Sequence, residues 1–227
     1  MSVPDLVIPT SAEEAVRLQE RLAPSVVRVP SKGFAPRTAT GLDVAYAEGS
    51  NVVAAAVVTV DLDTGAEVES ATAVGESDFP YVPGLFAFRE LPALLDALAR
   101  LAAPPELLVA DGHGIAHPRR FGLACHVGVL TATPAIGVAK TPLGHYDPPA
   151  DERGATSPLV DEGEEVGAAL RTRSGVKPVF VSIGHRVDLD TACRLVLALC
   201  RDFRLPETTR LADQLSRRTL RAVSRTR

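Results

Sequence analysis

Four carboxylates and one lysine in this sequence have the type and placing for chemistry at phosphorus. Asp111 follows the apolar run Leu107-Leu108-Val109-Ala110 and precedes Gly112, so it stands at the carboxyl end of a buried strand, where open α/β sheets place their ligands. Asp43 sits in "GLDVAY", on the side of an alternating strand opposite Leu42 and Val44. Glu90 falls in the first turn of one helical pattern and Asp213 inside another. Carboxylates gathered at one point repel each other unless cations lie between them. The natural ions are Mg²⁺ and Mn²⁺, hard cations that bridge carboxylates to phosphate oxygens and stabilise a displacement at phosphorus. Lys140, closing "AIGVAK", can steady a phosphate or a nucleophilic water from a strand end. Convergence would point to a nuclease. Spacing alone leaves ordinary roles open: Asp43 as a surface strand residue, Glu90 as an acid at a helix start, Asp213 as the partner of Arg217, Lys140 as an edge lysine.

Two further stretches carry unusual chemistry. "DGHGIAHPRRFG" places His113, His117, Arg119 and Arg120 directly after Asp111, among glycines that let backbone amides approach a ligand. "FPYVPGLFAFRE" sets Tyr81 between Pro80 and Pro83, in a chain with no Trp and three Tyr, and ends on Arg89 and Glu90. His185, after the strand "VFVSIG", is a further candidate for supporting a phosphate, although a structural histidine explains it as well.

The elements that must hold these residues follow from periodicity. Ser11 and Glu14 have capping-box spacing before a helix to Leu22. "ATGLDVAY" and two strands about a turn at "DLDTG" form an antiparallel meander. A helix from about Arg89 to Ala102 carries Leu91, Leu94, Leu95, Leu98 and Leu101, and the short strand "LLVADG" follows. Then come a helix from Phe121 to Thr131, the strand "AIGVAK", a loop to about Glu165, the strands "VGAALRTR" and "PVFVSIG", a helix capped by Asp188, and another from Pro206. A meander followed by alternating helix and strand predicts an α/β fold: a mixed central sheet, three antiparallel strands plus parallel ones, flanked by helices.

With 227 residues, 46% of them hydrophobic, the chain suits a single domain, residues 1–227. No apolar run approaches a membrane span and the N-terminus lacks a signal-like pattern, so a cytoplasmic protein with no membrane partner is expected. Cys125, Cys193 and Cys200 have no metal or disulfide spacing and read as buried thiols. The net charge of −4 hides an uneven distribution: Arg217, Arg218, Arg221, Arg225 and Arg227 crowd the last residues with no acid among them. That tail, about 217–227, suits phosphate contact and suits a frayed, solvated helix end equally.

"GLDVAY", "FPYVPGLFAFRE", "DGHGIAHPRRFGLACHVGVL", "PAIGVAKTPL", "VSIGHRVDLDTA" and "LPETTRLAD" together resemble endonuclease V, in order and in spacing, over roughly residues 10–220. The resemblance implies an RNase H-like fold and a Mg²⁺-dependent endonuclease, with Mn²⁺ as substitute, that recognises deoxyinosine in DNA. The expected cut falls at the second phosphodiester bond 3′ to the lesion and leaves 3′-hydroxyl and 5′-phosphate ends, a DNA-repair step. Carried over, Asp43, Glu90, Asp111 and Asp213 are the metal ligands and Lys140 the active-site lysine. Pro80-Tyr81-Val82-Pro83 becomes the wedge that enters the duplex as the damaged base turns out; a proline-stiffened aromatic replaces lost stacking at little ordering entropy. Gly84, Gly112, Gly122 and Gly137 are candidates for the base pocket, whose amide donors would select the carbonyl that hypoxanthine bears where adenine has an amino group. His113 stands where the family usually has Gln or Asn; Arg89, His117, Arg119 and His185 are expected to support the site. Left open are an inosine-specific endoribonuclease acting on RNA, a catalytically silent nucleic-acid-binding protein of the same fold, and a hydrolase of small phosphorylated molecules, although no small-molecule pocket needs the wedge. A monomer is expected.

Overall fold

The structure, a computed structural model, describes residues 6–225; Met1–Asp5 and Thr226–Arg227, and with them Arg227 of the basic tail, lie outside the described residues. Eight strands make one sheet in the order β3-β2-β1-β4-β5-β8-β7-β6. Strands β1 (Thr38–Tyr46), β2 (Val52–Asp61) and β3 (Glu67–Glu76) form the expected antiparallel meander. Strands β4 (Leu108–Asp111) and β5 (Ala135–Ala139) continue it in parallel with β1, and β6 (Thr156–Asp161), β7 (Glu164–Leu170) and β8 (Val179–His185) close it with antiparallel pairings. This is the mixed α/β, RNase H-like arrangement read from the sequence, with one addition. Strand β6 lies inside the stretch assigned to a loop, because Pro158 and flanking charges mask it; both are tolerated at the sheet edge, where it sits.

Five helices flank the sheet: α1 (Ala12–Leu22), α2 (Ala87–Ala99), α3 (Leu123–Thr131), α4 (Leu189–Leu199) and α5 (Glu207–Ser224). Ser11 caps α1 by accepting from the Glu14 amide at 3.2 Å, but the Glu14 carboxylate reaches back to the Thr10 amide (2.8 Å) in place of the cap residue's own. The period-2 alternation of the central strands divides the core. Leu42, Leu108 and Ala110 pack with Leu91, Leu94 and Leu98 of α2; Leu107 and Val109 face Leu195 of α4 and Ala212 of α5. Asp43 and Asp111 share the parity of Leu107 and Val109, so they point to the side that α5 covers. Helix α5 continues to Ser224, so Arg217, Arg218 and Arg221 are part of an ordered helix.

No helix of the described residues is long and apolar enough to cross a membrane. Cys125 and Cys200 are buried, Cys193 is half-buried, and all three are free thiols.

Candidate functional site

Register brings the first two carboxylates together. Leu42 of β1 pairs with Ala110 of β4 in parallel, so the next residues, Asp43 and Asp111, are neighbours at the same edge. A third element closes on them through Gly41: a Cβ there would lie 2.3 Å from the Thr208 carbonyl carbon, and only glycine lets the first turn of α5 press on β1. That approach sets Ser216 against Asp43, its hydroxyl donating to Oδ2 at 2.6 Å, and brings Asp213 within electrostatic reach. Glu90 arrives from the start of α2, where the Tyr46 hydroxyl donates to its Oε1 at 2.9 Å.

The charges feel one another. Loss of solvent raises the Asp43 carboxyl to about 6; the Ser216 hydrogen bond opposes the rise, and Asp111 and Asp213 add to it. Glu90 is pushed up to about 8, chiefly by burial, with Asp43 and Asp111 contributing and Tyr46 and Arg89 opposing. Burial and the Glu90 charge raise the Tyr46 phenol as well. Lys140 donates to Asp111 Oδ2 in a short ion pair, and Arg217 Nε meets Asp213 Oδ1 at 2.9 Å, the helical pairing that was the ordinary alternative for that aspartate.

Among the described residues, no three His, Cys, Asp or Glu side chains stand close enough to hold one ion directly. Asp111 and Asp213 are instead paired with the cationic side chains of Lys140 and Arg217. The donor set nevertheless fits a hard cation: carboxylate oxygens, two of them drawn out of water and made to favour protons, which is the condition a divalent ion relieves.

Beside the carboxylates lies a cavity of about 480 Å³, within the usual 300–1,000 Å³ of small-ligand pockets. Thr141, next to Lys140, and His113, two residues after Asp111, line it, so it adjoins the carboxylates through both strand ends. Tyr81 and Pro83 form one lip. Tyr81 is 76% exposed, Pro80 is exposed, and Val82 packs inward against the small cluster of Phe79, Leu85 and Phe88. The stretch is thus anchored at Val82 and presents its aromatic tip to solvent.

Of the four pocket glycines, Gly84 and Gly122 line this cavity, while Gly112 and Gly137 are absent from its lining. A Cβ on Gly137 would lie 2.5 Å from the Gly114 amide nitrogen, so that glycine seats the loop after β4 on the sheet. His113 Nε2 donates to the Thr141 carbonyl at 3.1 Å, leaving buried Nδ1 without a partner. His117 Nε2 donates to the Gly84 carbonyl at 2.9 Å while its Nδ1 accepts from the Arg119 amide at 3.2 Å, which fixes the tautomer; burial and Arg119 lower this imidazole to about 4.

The expected supporting residues divide. Arg119 lines the cavity but spends its guanidinium on Gln19 and Gly84; Arg120 is tied to Asp161 and Glu164 at 2.7 Å each. Arg89 donates to the Phe79 carbonyl and lies over the Tyr46 ring, 5.3 Å from its centroid. His185 is a correction: β8 runs antiparallel to β5, pairing His185 with Ala135, so this histidine stands at the opposite end of the strands from Lys140. There it accepts from the Val27 amide at 3.3 Å.

Sequence reasoning missed Ser216, Tyr46 and Gln19. A second cavity, of about 410 Å³, runs from Asp43, Tyr46 and Asp213 to Arg217, Leu220 and Arg221, joining the carboxylates to the basic end of α5.

Comparison with known proteins gives a consistent result. A protein-family model described as Endonuclease V matches residues 20–214. An endonuclease V of Streptomyces avermitilis is 56% identical over 219 residues, 95% of each chain. A crystal structure of the endonuclease V from Streptomyces avermitilis superimposes with a TM-score of 0.92 at 54% identity, covering 96% of each chain. The Ciona intestinalis endonuclease V, solved with a 24mer DNA containing an inosine followed by a ribo-adenosine, matches with a TM-score of 0.81 at 26% identity, over 91% of this chain and 96% of that one.

Proposed function

The chain belongs to the endonuclease V family, nucleases that hydrolyse phosphodiester bonds, and from that membership we propose that it nicks one DNA strand at deoxyinosine. In this reading the cut falls at the second phosphodiester bond 3′ to the lesion and leaves 3′-hydroxyl and 5′-phosphate ends. The enzyme acts as a cytoplasmic, monomeric, single-domain repair nuclease that depends on Mg²⁺, with Mn²⁺ as substitute. The inosine-containing DNA held by the Ciona intestinalis relative supports the substrate class. What carries the reading is the raising of both Asp43 and Glu90, by burial first and by neighbouring acids second, beside a cavity rimmed by Tyr81.

Asp43, Glu90, Asp111 and Asp213 would hold the cations. Bound there, divalent ions supply Lewis-acid stabilisation of the charge that develops on the attacking and leaving oxygens. The protein's own groups do the rest. Ser216 and Tyr46 hydrogen-bond Asp43 and Glu90 and so fix the direction of their free lone pairs. Lys140, exchanging its contact with Asp111 for a phosphate oxygen, orients the strand. Tyr81 fills the gap left by the extruded base, which enters the cavity between Gly84 and Gly122.

The deciding experiment is a gel assay on matched DNA and RNA strands carrying one inosine, with Mg²⁺ or with EDTA, for the wild type and Asp43→Ala. The reading expects a Mg²⁺-dependent nick at the second 3′ bond of the DNA strand, lost in the variant. Cleavage confined to RNA would reassign the substrate to inosine in RNA, and binding of inosine strands without cleavage of either would leave a silent binding protein.

A further inference from the structure

Gln19 stands on α1, outside the elements that carry Asp43, Glu90, Asp111 and Asp213, and its side chain is completely buried. Its amide makes three hydrogen bonds and uses both of its donors. Nε2 donates to the Gly84 carbonyl and to the Phe121 carbonyl, each at 3.1 Å, and Oε1 accepts from Arg119 Nε at 2.6 Å. The same Gly84 oxygen also accepts from His117 Nε2 at 2.9 Å and Arg119 Nη2 at 3.0 Å. Three side-chain donors from two distant segments therefore meet on one carbonyl, which has only two lone pairs. That carbonyl belongs to the residue directly after Pro83. Gly84 itself has φ +79, and a Cβ on it would lie 2.9 Å from Arg119 Nη2, so glycine is needed for the grip to close.

The arrangement is more than ordinary anchoring of a helix. Gly84, His117 and Arg119 line the cavity beside Tyr81, whereas Gln19 stands behind them and touches the cavity only through them. Tyr81, three residues before the gripped carbonyl, is 76% exposed. A projecting tip on a clamped root loses little conformational entropy when it enters a stack of bases.

We propose that Gln19 is a positioning residue for lesion engagement: with His117 and Arg119 it locks the root of the Pro80–Pro83 wedge at Gly84 and so sets where Tyr81 stands relative to the cavity. The proposal rests on the nuclease reading for its consequence, but the clamp can be tested without it. The chain contains no Trp, so Tyr81→Trp introduces a single fluorophore at the wedge tip. Nanosecond anisotropy decay of Tyr81→Trp is then compared with that of Tyr81→Trp/Gln19→Leu, in the protein alone. The clamp predicts a larger amplitude of fast segmental motion in the double variant; an unchanged decay overturns it. If Gln19→Leu does not fold, Gln19→Glu serves, since it keeps an acceptor facing Arg119 while replacing the donor to Gly84 and Phe121 with an oxygen that repels both carbonyls, and the same two outcomes apply.

The functional arm uses inosine-containing and inosine-free DNA in the otherwise native chain. Gln19→Leu is expected to weaken binding of the inosine strand about tenfold, the loss of one to two buried hydrogen bonds, while kcat at saturation and binding of inosine-free DNA stay within about twofold. In a Tyr81→Ala background that tenfold effect should vanish, because no wedge remains to be positioned. A fall in kcat without a fall in affinity, or a full tenfold loss persisting in Tyr81→Ala, overturns the proposal. A wild type that ignores inosine altogether would sink the nuclease reading and leave the anisotropy result standing.

Discussion

The Ser216 hydroxyl, on the last helix, donates to Oδ2 of Asp43, on the first strand, at 2.6 Å across 173 positions of sequence. The bond opposes the burial and the neighbouring acids that raise Asp43 to about 6. Ser216→Ala removes that opposition, so the Asp43 carboxyl moves higher and protons compete better with a cation for it. The sign follows: the deficit of the variant is largest at low pH and shrinks as pH rises past the new value. We expect Mg²⁺ affinity to fall about tenfold at pH 6.5, the lower end for partners of ligating groups, and a wild-type-to-variant activity ratio that is smaller at pH 8.5 than at pH 6.5. Titrating Mg²⁺ in the nicking assay at the two pH values measures both.

Tyr81 offers a separable test of the wedge. Its ring is mostly exposed and stands at the lip of the cavity, so it has little to stabilise in the free protein. Tyr81→Ala should leave the melting temperature nearly unchanged and weaken binding to inosine-containing DNA by about tenfold, since stacking of one base on an aromatic ring contributes about 1–3 kcal/mol. Inosine-containing DNA bound as tightly by Tyr81→Ala as by the wild type would remove the wedge from the mechanism.

How much of this was legible depended on which physical signal each residue left in the sequence. Asp43 and Asp111 were readable as neighbours because strand alternation fixed their faces and a meander followed by an α/β strand puts β1 beside β4. Glu90 and Asp213 were candidates without such a signal, because a helix acid looks the same whether it faces water or a sheet edge; the likeness to a family is what set them beside the other two. For His185 the sequence left phosphate support and a structural role both open, since a buried strand's composition does not carry its direction; β8 runs antiparallel and puts it at the end away from Lys140. Gln19 did leave a trace: with Ala15, Leu18 and Leu22 it falls on the i, i+3, i+4, i+7 stripe of α1, and a polar residue on an apolar stripe implies buried partners. Ser216 sits the same way, four residues after buried Ala212. Strand β6 was hidden by its own edge devices, Pro158 and its charges.

The basic end of α5 gives a prediction about the substrate's path. Arg217, Arg221 and Arg225 recur every four residues, so they share one helix face, and the cavity from Asp43 to Arg221 makes that face continuous with the carboxylates. Among the described residues Arg221 and Arg225 have no acidic partner. Replacing both with Ala should reduce the slope of log affinity against log salt by about 1.8, two phosphates at 0.9 each, equally for inosine-containing and inosine-free duplexes. A slope that does not change would mean the strand leaves the site by another face.

His126 tests the core without touching the site. Its ring lies between Phe88 and Phe121, each centroid 5.1 Å away, and its Nδ1 has no partner. Burial alone lowers the imidazole to about 3. The unfolded chain takes up a proton at this residue below about 6.5, while the folded chain refuses it until about 3. Stability from this group is therefore full above pH 6.5 and is lost progressively as pH falls toward 3. His117, lowered to about 4, acts in the same direction and keeps part of the slope in any single variant. His126→Leu, close in volume and without a proton to gain, should melt at a temperature similar to the wild type at pH 7.5 and above it at pH 4.5, so that its melting temperature falls less steeply with acid. Parallel curves for the two proteins between pH 7.5 and pH 4.5 would mean that the buried ring does not resist protonation, and the acid lability would then belong to other groups, among them His113, His117 and His185, which burial also lowers.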